Sequence, residues 1–189
     1  VTDSTAAVTM VYTETNPPKG FPFQYALEVT YTLSENNVGI AIKVTNLDTT
    51  PFPFTLGWHP YFYTEHLAES VVKFNSHQQV AFDEKLITKE LVLFTNEGDF
   101  AIENKQIDDC FVINDAIIEF ETNEYQVTIT SDAAQHHRQM LTPPHRMLIA
   151  IDPMKGIANT FNNHFLFFCI WLHFLMNNAN LIFWHWKRA

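Results

Sequence analysis

Residues 26–47, "ALEVTYTLSENNVGIAIKVTNL", decide the fold class. Leu27, Val29, Tyr31 and Leu33 alternate with Glu28, Thr30, Thr32 and Ser34, a period of two that sets one face on a core and leaves the other wet. After the turn residues "SENN" the pattern resumes, with Ile40, Ile42 and Val44 on one face and Lys43 and Thr45 on the other. The two runs read as a β-hairpin. A second hairpin is expected in "AIIEFETNEYQVTITSD" (116–132), turning at Asn123-Glu124. Shorter strand candidates are "VTMVYT", "VVKF", "QVAF", "LVLF" and "MLIAI".

Before residue 164 no stretch repeats apolar residues at helical spacing over a dozen positions, so the expected class is all-β, an antiparallel β-sandwich. The 189 residues hold no internal repeat, low-complexity tract or Gly/Ser linker, and a single domain over 1–189 is expected.

Composition excludes several function classes. Hydrophobic residues make up 47% and charged ones 17%, a globular balance, and 17 Phe, 4 Trp and 6 Tyr favour strands. A net charge of −10 repels a phosphate backbone, so nucleic acid is not an expected partner. Cys110 and Cys169 form neither a CxxC pair nor a dense disulfide framework, which points to reduced thiols and a cytoplasmic setting. The first residues lack the basic and apolar regions of a signal peptide. The run "FLFFCIWLHFLM" (165–176) is shorter than the ~20 residues that cross a bilayer, so no membrane role is expected.

The segment "TTPFPFTLGWHPYF" (49–62) follows a different logic. Pro51 and Pro53 remove two backbone donors and force an extended path along a sheet edge, which delivers His59 to a specific place. Other histidines, His136 and His137 in "QHHRQ" and His145 in "PPHRM", lack a carboxylate or cysteine at ligand spacing, and no metal is expected.

Four blocks, "GFPFQYALEVTYTL", "VTNLDTTPFPFTLGWHPYF", "DDCF" and "IAIDPMKGIANTFNN", occur in the order and spacing of the aldose 1-epimerase (galactose mutarotase-like) family. The resemblance covers roughly residues 8–163, the C-terminal two-thirds of that pattern. It implies a β-supersandwich that interconverts the α and β anomers of a free aldohexose such as galactose or glucose, with no metal or organic cofactor. Opening the cyclic hemiacetal takes a proton from the C1 hydroxyl and gives one to the ring oxygen, for which two groups on opposite sides of one sugar suffice.

By the resemblance the acid is His59, whose imidazole has an unperturbed pKa of ~6.5 that suits exchange in both directions near neutrality. The base falls on Asp152, where the family carries Glu; the missing methylene withdraws the carboxylate by ~1.5 Å, so Asp152→Glu is expected to raise activity by restoring reach. Asp108 matches the family's sugar-binding carboxylate, with Asp109 the lesser candidate. Trp58 and Phe62 are the candidate apolar platforms for the C–H face of a pyranose.

The chain lacks the family's N-terminal "NR" and "HG" blocks and diverges over 164–189, where only "MNNANLIFWHW" keeps a turn and a strand-like run. Missing N-terminal strands would leave apolar faces on "VTMVY" and the first hairpin uncovered, a route to self-association through exposed strands. Alternative readings are a non-catalytic carbohydrate-binding remnant and an inactive truncated fragment.

Overall fold

The computed structural model describes residues 4–131, 137–162 and 179–188. Its strands are β1 (Thr5–Glu14), β2 (Tyr25–Ser34), β3 (Asn37–Asn46), β4 (Tyr61–Tyr63), β5 (Val71–Phe82), β6 (Thr88–Ala101), β7 (Asp108–Ile113), β8 (Ile117–Glu121), β9 (Tyr125–Thr130), β10 (His137–Leu141), β11 (Leu148–Met154) and β12 (Ala179–Arg188). Among the described residues, two short 3-10 turns, Leu67–Glu69 and Thr160–Asn162, are the helical elements. The chain is all-β and antiparallel, as the alternation requires.

The strands form one 12-stranded sheet in the order β1-β2-β3-β12-β9-β8-β5-β7-β10-β11-β4, with β6 paired to β5 off this path. Both expected hairpins form: Leu27 pairs with Val44 and Val29 with Ile42 across β2 and β3, and Phe120 pairs with Val127 across β8 and β9. The candidates "VVKF" and "QVAF" belong to one strand, β5. Its polar middle is accommodated by a register shift between Ser76 and Gln78, where the Ser76 hydroxyl donates to Val112 O at 2.6 Å. Of the aromatic tail, 179–188 is β12, seated between β3 and β9. The run 165–176 lies outside the described residues.

The sheet curls on itself. Strands far apart in the order touch: the Tyr125 hydroxyl of β9 donates to Tyr63 O of β4 at 2.6 Å, and the Phe62 and Phe120 rings sit 5.8 Å apart. Inside the curl lie Phe62, Phe74, Phe111, Ile118, Phe120, Ile129, Met140, Ile149 and Ile151, the larger core, fed by alternate residues of seven strands, while a smaller cluster forms around Val80, Cys110 and Ile157. Phe120 is fully buried and touches the Phe62 and Tyr125 rings, so Phe120→Ala should lower stability by about 3–5 kcal/mol, read as a fall in the urea midpoint.

At the other end of the sheet apolar side chains of β1 are exposed. Val8, Met10 and Tyr12 of β1 pair with Tyr31, Val29 and Leu27 of β2, yet are 56%, 51% and 51% exposed.

Candidate active site

The approach to β4 explains how the sequence places His59. From Phe52 to Thr64 the odd-numbered residues are exposed and the even-numbered ones buried or half-buried, an uninterrupted period of two. Pro51, Pro53 and Pro60 deny this segment a regular ladder, but it still follows β11 along the sheet edge. The Gly57↔Met154 bridge and the Tyr61↔Ala150 pair share one register, which sets His59 directly opposite Asp152. Trp58 N and Lys155 N donate to Pro153 O (3.2 Å) and Leu56 O (2.8 Å) before His59, and Ile151 N donates to Pro60 O (3.4 Å) after it, pinning the segment on either side.

The two side chains meet. His59 Nδ1 lies 2.6 Å from Asp152 Oδ2, and the Tyr61 hydroxyl lies 2.9 Å from His59 Nε2. The imidazole is 54% exposed whereas the Asp152 side chain is only 10% exposed. Asp152 is thus the inner member of the pair and His59 the outer. Burial pushes the Asp152 carboxyl up to about 6, against the hydrogen bond and charge of His59, which pull it down. A carboxylate taken from water with one hydrogen bond is a strong acceptor for Nδ1–H, and that bond leaves Nε2 as the nitrogen on the open side.

This arrangement corrects the expectation that acid and base stand on opposite sides of a pyranose: no sugar fits between groups 2.6 Å apart. It also changes how Asp152 can act. Oδ2 is on His59, and Oδ1 is buried without a hydrogen-bond partner among the described residues, so the carboxylate reaches the open face through the imidazole.

Across the sheet, Asp152 pairs with Gln139 of β10 and Gln139 with Cys110 of β7, so these side chains share the face that carries His59. Asp108, two residues before Cys110, is on that face too, and its Oδ1 accepts from Gln139 Nε2 at 2.8 Å. The structure therefore brings His59, Asp152 and Asp108 to one side of the sheet, with Gln139 between the carboxylates. A hollow of about 200 Å³ beside them is lined by Asp108, Gln139, Cys110, Met154, Phe82 and Ile157, among others. Asp109 points to the other face, where it accepts from Gln79 Nε2 at 2.5 Å and burial raises its pKa. Cys110 is fully buried, its thiol pushed up to about 12 by desolvation, which makes it an inert wall of the hollow.

Trp58 and Phe62 are not available as sugar platforms. The parity that exposes His59 turns both inward: Phe62 is 6% exposed and Trp58 packs against the same core. The aromatics on the His59 side are Tyr61 and Tyr63, 46% and 49% exposed. Tyr61 and Gln139 are the site residues that sequence reasoning missed. The odd-number parity shared by His59 and Tyr61 is a signal that could have found the first; the second depends on strand order.

Among the described residues no three His, Cys, Asp or Glu side chains gather as a metal site, and no helix is long and apolar enough to cross a membrane. His137 is buried on β10, His145 is exposed, and His136 lies outside the described residues.

A sequence model described as aldose 1-epimerase matches residues 1–184. No curated protein matches the chain. Solved structures similar over all of this chain include the galactose 1-epimerase from Lactobacillus acidophilus NCFM (13% identity, TM-score 0.78) and a galactose mutarotase-like protein from Lactobacillus casei ATCC 334 (18%, 0.70). The Slr1438 protein from Synechocystis sp. PCC 6803 is similar too (16%, 0.74). The chain spans 65%, 71% and 63% of their lengths, respectively. At these identities the likeness shows a shared galactose mutarotase-like fold.

Proposed function

The chain belongs to the aldose 1-epimerase family, and from that premise we propose that it interconverts the α and β anomers of a free aldohexose through the His59–Asp152 pair. The observation that carries the reading is the 2.6 Å Nδ1–Oδ2 contact, with its imidazole open and its carboxylate buried. The two reacting oxygens of a cyclic hemiacetal are both bonded to C1, so proton exchange is needed at neighbouring points and a compact pair suits it.

Asp152 supplies the base, drawing the O1 proton through the imidazole as the C1–O5 bond breaks and O5 gains a proton at the open face. His59 is the acid that returns it on closure. Asp108, steered by Gln139, accepts hydrogen bonds from ring hydroxyls at the far side of the site; β7 and β11 flank β10, so their spacing of about 10 Å leaves room for one pyranose over Gln139. Met154, Ile157 and Phe82 supply the apolar wall.

Polarimetry of freshly dissolved α-galactose and α-glucose tests the proposal. The chain is expected to hasten the approach to equilibrium over buffer for at least one of them; unchanged first-order rates for both would overturn it. Asp152→Glu separates the two ways the carboxylate could serve. Because Asp152 already meets His59, an added methylene in this buried niche displaces the imidazole, and the rate should fall about tenfold or more. A rate increase would instead support direct contact between the carboxylate and sugar.

A further inference from the structure

We propose that Tyr61 is a catalytic residue of this site, its phenol hydroxyl serving one hemiacetal oxygen while His59 Nε2 serves the other; the inference rests on the function proposed above and names the second proton-exchanging atom. The reaction requires two such atoms close together on the open face. Asp152 cannot be one of them in this arrangement, since Oδ2 is engaged by His59 and Oδ1 is buried. Tyr61 Oη and His59 Nε2 stand 2.9 Å apart, and both side chains are about half exposed. Their rings are held at 4.7 Å between centroids. The period of two along the segment fixes both on one face, and Ala150, paired with Tyr61, leaves space for the phenol to lean toward His59.

With Nδ1–H donated to Asp152, the neutral imidazole has its lone pair on Nε2, so the Tyr61 hydroxyl is the donor in the resting site. In ring opening, the O1 proton passes to Nε2 and the freed pair forms the C1=O1 bond. The C1–O5 bond breaks, and its electrons take the Oη proton to make the O5 hydroxyl. Imidazolium and phenolate remain, side by side, with Asp152 balancing the imidazolium. Closure on the other face of C1 runs the steps backward: the O5 hydroxyl gives its proton to Oη as O5 bonds to C1, and O1 takes the proton from Nε2, which restores the site. No oxidant, metal or added reactant is needed.

The test is Tyr61→Phe in the full chain, compared with Tyr63→Phe, whose hydroxyl donates to Glu65 instead. Tyr61→Phe should lower kcat for anomerisation about a hundredfold with KM within about twofold, while the ¹⁵N shift of His59 Nε2 moves as its hydrogen bond is lost. Tyr63→Phe should keep the wild-type rate, and far-UV circular dichroism should be unchanged in both. If wild type accelerates anomerisation and Tyr61→Phe retains more than half of that acceleration, the role of Tyr61 is overturned and the family reaction stands. If wild type itself shows none, the function reading fails and this inference fails with it.

Discussion

His59→Ala is expected to remove the acceleration of anomerisation, a loss of about 10²–10⁴-fold set by the usual contribution of a positioned acid–base group. The ring is more than half exposed and lies outside the core, so its loss opens no cavity. What it leaves is a buried carboxyl deprived of its hydrogen bond and of the positive charge that favours ionisation. The carboxyl pKa should rise further, so the variant should match wild type in thermal stability at acidic pH and fall behind at pH 8. Polarimetry and melting curves at the two pH values check both parts. An active His59→Ala would remove the imidazole from the mechanism.

Asp152→Asn should act on rate and stability in opposite directions. Burial raises the Asp152 pKa from 3.8 to about 6, so the folded state holds this proton more tightly than the unfolded chain. The sign follows: the contribution is fully present below about pH 4 and is lost as pH rises through about 6. A rise of this size corresponds to at most about 3 kcal/mol. Asparagine keeps an oxygen for Nδ1–H but carries no charge to desolvate. Urea unfolding should therefore find the variant up to about 3 kcal/mol more stable than wild type at pH 8 and nearly equal at pH 4. Anomerisation should fall by at least tenfold, because the imidazole loses the charge that supports its protonated form. In wild type the rate should decline as pH drops through about 6, where the carboxylate protonates. A variant destabilised at pH 8 would contradict the buried, desolvated state of Asp152.

Local pattern carried much of the fold. Alternation at 26–47 and at 116–132 located β2, β3, β8 and β9, because each strand there sets apolar residues against polar ones and the turn residues are explicit. The same rule applied across 52–64 yields the orientation of His59. Treating Trp58 and Phe62 as platforms on grounds of proximity alone ignored that neighbours on an extended chain face opposite ways.

Long-range placement was a different matter. Asp152, Gln139 and Asp108 come from β11, β10 and β7, and their common face depends on a strand order that no local signal encodes. Nor does spacing reveal that Asp152 and His59 touch; the shared register of Gly57↔Met154 and Tyr61↔Ala150 decides it. The interior of β10 shows the same limit. Arg138 is fully buried, donating to Ser131 Oγ at 2.8 Å and His137 O at 3.0 Å, and desolvation lowers its pKa to about 10. Nothing in "QHHRQ" marks that arginine as interior, because its cover comes from neighbours remote in sequence. Fourteen residues of β6 likewise exceed the short run "LVLF", since pairing with β5 sustains a strand through polar positions.

If the His59–Asp152 pair moves protons at the hemiacetal of a bound aldohexose, two-dimensional ¹³C exchange spectroscopy of [1-¹³C]galactose and [1-¹³C]glucose at anomeric equilibrium reads that transfer without a coupled assay. The α–β cross-peaks should grow with chain concentration for at least one sugar, disappear with His59→Ala, and weaken below about pH 6. Exchange at the buffer rate for both sugars, or cross-peaks undiminished in His59→Ala, would contradict proton transfer by the pair.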